Sequence, residues 1–245
     1  MDWQERTRLL IGQNGIDILE KKHVLVVGLG GVGAYAADQL ARAGIGKLTI
    51  IDGDTVNKSN RNRQLLALTS TEGKSKTEIM HARLLDINPN IQVTSIQEYI
   101  HGDRLDEILA QKYDYVVDAI DTLAPKVFLI YKALINGHKI VSSMGAGGKT
   151  DPSKINIADI SKSYNDKLAR ILRKRLHHLK VYKGFQVVFS SEKANPESVI
   201  FIEGEANKKT TVGTISYMPA LFGNLIASVV LRDLLELNIE SNQKN

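Results

Sequence analysis

A run of strand-forming residues followed at once by a glycine-rich turn constrains the fold of this chain more than any other feature. The run is HVLVV at 23–27, and Gly28, Gly30 and Gly33 follow it at the spacing G-x-G-x-x-G, with Gly31 between them. An alanine-rich, helix-forming segment comes next. This order of strand, tight turn and helix brings backbone N–H groups close to a phosphate at the positive end of the helix. The sequence therefore predicts a nucleotide site.

An acidic residue stands where such a site would hold a ribose. Asp52 ends the next predicted strand, 47–52. In dinucleotide-binding folds an acid about 20 residues beyond the glycines accepts a hydrogen bond from a ribose hydroxyl. The glycines and the acid do not distinguish NAD from ATP. An NAD-dependent oxidoreductase is therefore the first hypothesis.

Five polar residues after this acid favour a triphosphate. They are Asp54, Asn60, Arg63, Lys76 and Asp121. They fall in loops or helix starts that follow predicted parallel strands, so they converge on the carboxyl edge of one sheet. An arginine, a lysine and an isolated acid at that edge suit a triphosphate with Mg²⁺ better than a pyrophosphate bridge. A solvated loop explains any one of these residues, but not all of them in this order.

Strands and helices are predicted to alternate through the first 150 residues. The strands lie at 23–27, 47–52, 92–96, 115–118 and 139–143, and the helices at 31–43, 75–87, 104–111 and 123–136. Further strands lie at 155–160, 185–189 and 199–203, and a closing helix at 219–237. This pattern predicts an α/β fold with a doubly wound, mostly parallel, Rossmann-like sheet. We expect one domain over 1–245, with a nucleotide-binding core at 1–150 and a substrate-facing extension at 151–245.

The chain contains no cysteine among its 245 residues. It therefore has no disulfide, no cysteine-based zinc site, and no thiol that could carry a thioester or a persulfide. This disfavours sulfur-transfer and ubiquitin-like pathways. It favours a substrate that consumes its own activated group.

One uncharged segment, 212–231, is long enough on paper to cross a bilayer. Polar residues and Pro219 interrupt it, so a buried core helix fits it better than a membrane span. The polar, charged N-terminus shows no signal peptide. These features indicate a cytoplasmic protein without a spanning helix and leave peripheral membrane contact open.

Positive charge is concentrated between Lys162 and Lys183, in a chain of net charge +5. A helix over 168–176 would bury a leucine-rich stripe. Its basic face, with the residue before it, comprises Lys167, Arg170, Arg173, Lys174 and Arg175. Such a face binds nucleic-acid phosphates or is an ordinary solvated surface. Beside an ATP site without a thiol we favour RNA, held by its phosphates rather than read by its bases.

A second glycine-rich segment, GAGGKT at 145–150, ends like a P-loop. Ser143 stands where the first glycine of that motif is required, so the P-loop interpretation fails. We interpret the segment as a loop that shapes the substrate side of the pocket.

The order of these motifs resembles a known family. GLGGVG, DGDTV, SNRNRQ, GKSK and DAID, between Arg8 and Gly148, are similar to motifs of the ubiquitin-activating-like adenylyltransferases, which include the enzymes that activate sulfur carriers for molybdopterin and thiamine. Within that group, the segments 142–155, 168–176 and 213–235 resemble the tRNA threonylcarbamoyladenosine dehydratases. The chain departs from carrier-activating members, which commonly use a cysteine and in several cases carry a four-cysteine zinc site.

The resemblance implies roles for the candidate residues around a nucleotide. Arg63 and Lys76 would line the phosphates of ATP. Asp121 would hold Mg²⁺, with Asp54 near the metal. Asp52 would bind the ribose.

It also implies roles outside the nucleotide itself. Asn60 would position the polar loop, and the carbonyls of the 145–150 loop would hold a monovalent cation. Arg8 matches an arginine that reaches the partner's active site in homodimeric relatives; otherwise it is a surface residue of an amphipathic N-terminal helix. The expected partners are tRNA, a second copy of the chain, and a sulfur-transfer or redox helper protein.

The implied reaction is an ATP-dependent dehydration of threonylcarbamoyladenosine in tRNA, next to the anticodon. The carboxylate is adenylated, and a nitrogen of the same modification then closes a ring and expels AMP. Three other hypotheses stay open. They are an adenylyltransferase for the C-terminus of a small carrier protein, an NAD-dependent oxidoreductase, and a non-catalytic RNA-binding adaptor.

Overall fold

A seven-stranded sheet forms the centre of the chain in a computed structural model, which describes residues 2–201 and 210–237. The strand order is β3-β2-β1-β4-β5-β7-β6, and all neighbours are parallel except β6 and β7. The strands are β1 (His23–Val27), β2 (Lys47–Ile51), β3 (Gln92–Ile96), β4 (Tyr115–Asp118), β5 (Ile140–Ser143), β6 (Ile155–Asp159) and β7 (Gln186–Ser190). A separate hairpin pairs β8 (Val199–Phe201) with β9 (Thr210–Val212).

Seven helices accompany these strands within the described residues. They are α1 (Glu5–Glu20), α2 (Gly33–Ala43), α3 (Lys76–Ile87), α4 (Gly102–Leu109), α5 (Leu123–Ile135), α6 (Lys167–His178) and α7 (Tyr217–Leu234). The first helix is broken at Gly12, whose φ of 75° lies in the region that glycine tolerates. The others are continuous.

Both faces of the sheet are covered by helices. Val24 and Val26 of β1 pack into a core with α2, α3 and α7. Leu25 and Val27 point to the opposite face and pack with α4, α5 and α6. Because neither face of the central strands meets water, these strands are apolar along their whole length rather than at alternate positions.

The predicted fold class is confirmed, and the element ends shift by one or two residues. The second helix begins at Gly33 rather than at residue 31, because Gly31 belongs to the turn. The second strand ends at Ile51, which leaves Asp52 to begin the loop. Residues 202 and 203 of the last predicted strand lie outside the described residues.

The C-terminal helix closes the sheet beside the glycine turn. It begins at Tyr217 and ends at Leu234, three residues before the predicted end. Pro219 lies in its first turn, where a missing N–H breaks no helical hydrogen bond. A Cβ at Gly223 would lie 2.4 Å from the carbonyl oxygen of Val32, so glycine allows α7 to approach α2 closely. Over the described parts of the chain, no helix combines the length and apolar character needed to cross a bilayer.

A fully buried ion pair lies beneath the carboxyl end of β4. Lys126 of α5 places its Nζ 2.7 Å from Oδ2 of Asp118, and both side chains are inaccessible to solvent. The hydroxyl of Ser142, on the neighbouring strand, donates to the same carboxylate oxygen at 2.5 Å. Removing one partner of such a pair leaves an uncompensated charge in the core.

We therefore expect Lys126→Met to lower the free energy of unfolding by about 3–5 kcal/mol, because it strands the Asp118 carboxylate. Urea denaturation followed by circular dichroism measures this change. The matched control is Lys139→Met, which removes an exposed ion pair of 3.0 Å with Asp233 and should cost about 1 kcal/mol or less. Equal losses in the two variants would contradict the structural role of the buried pair.

Candidate active site

The glycine turn combines two tightly packed positions with one open position. Gly28 has a φ of 92°, and a Cβ there would lie 2.8 Å from the carbonyl oxygen of Ala119. A Cβ at Gly33 would lie 1.8 Å from the carbonyl oxygen of Gly28. Gly30 has only the end of a glutamine side chain nearby, at 3.8 Å. Two glycines therefore hold the turn against its surroundings, and the third leaves room for a ligand phosphate.

Asp52 ties this turn to the end of β2. Its Oδ2 accepts a hydrogen bond from the backbone N–H of Leu29 at 2.5 Å, and its Oδ1 accepts one from the backbone N–H of Asp54 at 2.8 Å. Burial raises the pKa of Asp52, and the ammonium of Lys76, 3.9 Å away, opposes that shift. The carboxylate oxygens keep lone pairs that can accept a ribose hydroxyl.

Lys76 is held between two acids at the start of α3. Its side chain is only 4% exposed, and its Nζ lies 2.6 Å from Oδ2 of Asp54. The hydroxyl of Tyr99 donates to the other oxygen of that carboxylate, and this hydrogen bond raises the pKa of Tyr99 to about 12. The Tyr99 ring packs over Gly53. Sequence reasoning missed Tyr99, because no motif marks a tyrosine 45 residues from its partner.

The polar loop is ordered by its own side chains. Asn60 Oδ1 accepts a hydrogen bond from the backbone N–H of Asn57 at 3.0 Å, which closes a turn of 3₁₀-helix. Arg63 is half-buried, and its Nη1 donates to Asn62 Oδ1 at 2.9 Å. Asn62 in turn donates to the carbonyl of Thr214, at 2.9 Å, just before α7. The loop is therefore anchored to the C-terminal part of the chain, which sequence reasoning did not indicate.

Asp121 is exposed on a turn that the buried ion pair supports. Asp118 Oδ1 accepts from the backbone N–H of Ile120 at 3.1 Å, and Lys126 Nζ donates to the carbonyl of the same residue at 2.8 Å. The residue that follows is thereby presented at the carboxyl edge of the sheet. The tight contact between Gly28 and Ala119 sets this turn against the glycine turn.

Arg8 is not brought to this cluster within its own chain. Its Nη2 lies 2.5 Å from Asp2 Oδ2, and its Nε donates to Gln13 at 2.7 Å. Gln4, one helical turn earlier, contacts Gly44 at the C-terminal end of α2, which is the end opposite the glycine turn. Any contact between Arg8 and an active site would have to involve a second chain.

The second glycine-rich loop is packed rather than open. The backbone N–H of Gly148 donates to Gly213 at 2.8 Å, and its carbonyl accepts from Asn195 at 3.1 Å. Lys149 is buried and lies 2.8 Å from Oδ2 of Asp166. The ammonium therefore neutralises an internal acid, in agreement with the rejected P-loop interpretation.

Helix α6 presents most of its predicted basic residues to solvent. Those exposed are Lys167, Arg170, Lys174 and Arg175. Arg173 differs from the prediction of a free phosphate-binding side chain, because it is half-buried and donates to the carbonyl of Ser163 at 2.8 Å. Asp166 caps the helix by accepting the backbone N–H of Ala169 at 2.8 Å. Four basic side chains, rather than five, are available to a polyanion.

For the nucleotide site we expect Lys76→Ala to weaken Mg-ATP binding about 10-fold to 150-fold, the range for loss of a charged hydrogen bond. The variant would also leave Asp52 and Asp54 uncompensated beside a triphosphate. Isothermal titration calorimetry measures the dissociation constant. The matched control is Lys74→Ala, which removes an exposed lysine two residues away. Similar losses in both variants would show that Lys76 contributes only to the general charge of the surface.

Comparison with known proteins supports one origin for this arrangement. The model of the ThiF family matches residues 4–245. The tRNA threonylcarbamoyladenosine dehydratase of Bacillus subtilis is 37% identical over 243 residues, which cover 94% of each chain. The sulfur carrier protein ThiS adenylyltransferase of Escherichia coli is 38% identical over 116 residues, but these are only 47% of this chain.

Solved structures agree with the sequence comparison. The tRNA N6-threonylcarbamoyladenosine dehydratase of Escherichia coli, in complex with ATP, superposes with a TM-score of 0.86 at 35% identity, covering 96% of this chain and 95% of that one. Its complex with AMP superposes with a TM-score of 0.85. Fold, motifs and full-length similarity lead to the same result: this chain belongs to the ThiF family, where it groups with the tRNA threonylcarbamoyladenosine dehydratases.

Proposed function

We propose that this protein dehydrates threonylcarbamoyladenosine in tRNA, next to the anticodon, in an ATP-dependent cyclisation that proceeds through an adenylated carboxylate. The observation that carries the proposal is the cluster of Asp52, Asp54 and Lys76 beside the glycine turn, in a chain without cysteine. Full-length similarity to dehydratases whose structures hold ATP or AMP supports it.

The reaction has two covalent steps. A carboxylate oxygen of the modified nucleoside attacks the α-phosphorus of ATP, the bond to the bridging oxygen breaks, and pyrophosphate leaves. A nitrogen of the same modification then attacks the acyl carbon, loses its proton to solvent, and expels AMP. The net change in the nucleoside is the loss of one water. Because the second step is intramolecular and so has a high effective molarity, it needs no catalytic thiol.

Fixed cations supply most of the rate enhancement in such a transfer, because negative charge gathers on the phosphate oxygens. We assign Arg63 and Lys76 to those oxygens and Asp52 to the ribose. Lys76 is already desolvated, so its charge acts at a low local dielectric. Asn60 holds the loop that carries Arg63 in place.

The acids at the edge suit Mg²⁺ delivered with the nucleotide. The described parts of the chain contain no group of three or more His, Asp or Glu that could hold a metal. That fits Mg²⁺, which proteins usually bind through one or two carboxylates plus substrate phosphates. Asp121, with Asp54 nearby, would hold it, and when bound it would neutralise charge on the phosphates. The monovalent cation in the 145–150 loop stays a prediction.

A homodimer that shares its active sites remains a prediction as well. The first half of α1 carries two almost fully exposed leucines, Leu9 and Leu10, and an exposed Trp3. This apolar surface surrounds Arg8, so a second chain that covered it could receive the arginine. A sulfur-transfer or redox helper protein likewise stays a prediction.

The exposed basic residues of α6 suit the phosphates of the tRNA. Contacts of Lys167, Arg170, Lys174 and Arg175 with phosphates would make binding strongly dependent on salt. Such contacts place an RNA without reading its bases. Arg173 contributes indirectly, since it holds the segment before α6.

The alternatives fit less of the molecule. A carrier-protein adenylyltransferase accounts for the nucleotide core, but the similarity to such an enzyme spans less than half of this chain. An NAD-dependent oxidoreductase leaves Arg63, Lys76 and Asp121 without a role. A non-catalytic adaptor does not require them either.

The decisive experiment uses tRNA from cells that lack this protein, incubated with the purified protein, Mg²⁺ and ATP. We expect release of AMP and pyrophosphate, and mass spectrometry should show loss of one water from the nucleoside next to the anticodon. Arg63→Ala should lower the rate of AMP release at least about 100-fold, as expected for loss of a cation that stabilises the transferring phosphate.

The control for that variant is Arg61→Ala, in the same loop. Arg61 is exposed and donates to Thr69 at 2.8 Å, away from the glycine turn, so the rate should change little. If the wild-type protein releases neither AMP nor pyrophosphate with this tRNA, the proposed function is wrong.

A further inference from the structure

The start of α6 lies at the same edge of the sheet as the nucleotide site. β7 runs parallel to β5, so Ser190, its last residue, lies at the carboxyl edge. Lys149 Nζ donates to the carbonyl of Ser190 at 3.2 Å and to Oδ2 of Asp166 at 2.8 Å. Since Asp166 caps α6, the buried lysine fixes the N-terminal end of this helix beside the glycine-rich loop.

Tyr164 projects from this edge two residues before the cap. Its ring lies edge-on to the buried ring of Phe189, with centroids 5.5 Å apart and an interplanar angle of 74°. The tyrosine is nevertheless 54% exposed. One side of the ring is therefore supported by the core while the rest faces solvent.

The backbone on both sides of Tyr164 is held in place. Asn165 has a φ of 56°, a conformation that non-glycine residues seldom adopt, and its Nδ2 donates to the carbonyl of Ser191 at 3.1 Å. On the other side, Arg173 donates to the carbonyl of Ser163 at 2.8 Å. The ring is thus displayed by a fixed segment whose strained residue has no evident use in packing.

The surroundings of the ring are cationic. Lys167 and Arg170 are exposed in the first turn of α6, and the N-terminal end of a helix carries a partial positive charge. An aromatic ring with cations around it is the usual platform for an unpaired base, whose face stacks on the ring while its phosphates meet the charges. A purely apolar partner would not match this positive rim.

We propose that Tyr164 is a substrate-positioning residue that stacks on an unpaired base of the RNA at the active-site edge. The inference rests on the proposed function for the identity of the substrate. Bases of an anticodon loop can be turned outward, unlike those of a duplex, so the platform selects the loop over the stem. Stacking there would direct the modified nucleoside toward the glycine turn.

The test is the steady-state rate of AMP release with varied tRNA at saturating ATP. Tyr164→Leu should raise the KM for tRNA between about 5-fold and 150-fold, the range for loss of one stacked base, while Tyr164→Phe should stay within about twofold of wild type. The KM for ATP should not change in either variant. Thermal unfolding checks that both are folded.

Tyr182→Leu is the matched control. Tyr182 is also 54% exposed and lies beside His177, but it follows the other end of α6. That end is about 18 Å from the first, since the helix has 12 residues. Its loss should leave the KM for tRNA within about twofold of wild type.

A binding measurement separates this inference from the proposed function. Fluorescence anisotropy compares a stem-loop RNA with a fully paired RNA of the same length. Wild type should prefer the stem-loop, and Tyr164→Leu should lose that preference. An unchanged preference and KM in Tyr164→Leu, a defect in Tyr164→Phe equal to it, or an equal defect in Tyr182→Leu would overturn the stacking role. A wild type that prefers the stem-loop but releases no AMP would refute only the proposed function.

Discussion

The Asp52 carboxylate holds the nucleotide site together. It accepts backbone hydrogen bonds from the glycine turn and from the residue that begins the polar loop, and it lies 3.9 Å from the Lys76 ammonium. Both carboxylate oxygens are occupied by donors from different parts of the chain. Burial makes the charge costly, so the site is stable only when these donors are in place. The positions of the turn, the loop and α3 are therefore linked.

Two further buried ion pairs transmit this order to the rest of the sheet edge. Asp118 with Lys126 supports the turn that presents Asp121, and Lys149 with Asp166 fixes the start of α6. Neither pair need add net stability compared with apolar residues, because desolvation offsets much of the attraction. What each pair does specify is the position of a loop, since an unpaired partner would be left charged inside the protein. The edge is thus a set of loops held by charges beneath them.

Local sequence was sufficient to predict most of the architecture. Apolar runs such as 23–27 and 115–118, separated by helical segments, define a two-faced parallel sheet because strand and helix formation depend on nearby residues. The glycine spacing likewise predicted the turn, since Gly28 and Gly33 have no room for a side chain. The helix ends moved by only one or two residues. The absence of cysteine, which any reading of the chain reveals, restricted the chemistry without a structure.

What only the tertiary structure decided concerns partners that are distant along the chain. The contacts of Tyr99 with Asp54 and of Asn62 with Thr214 join residues 45 and 152 positions apart, and no local pattern encodes them. Arg173 is similar in sequence to its basic neighbours, yet the fold turns it toward Ser163. Residue type and spacing thus determined which groups this protein has for binding a nucleotide and a polyanion. Which of them face solvent, and which support others, was set by packing, because hydrogen bonds form wherever the folded backbone brings donors and acceptors together.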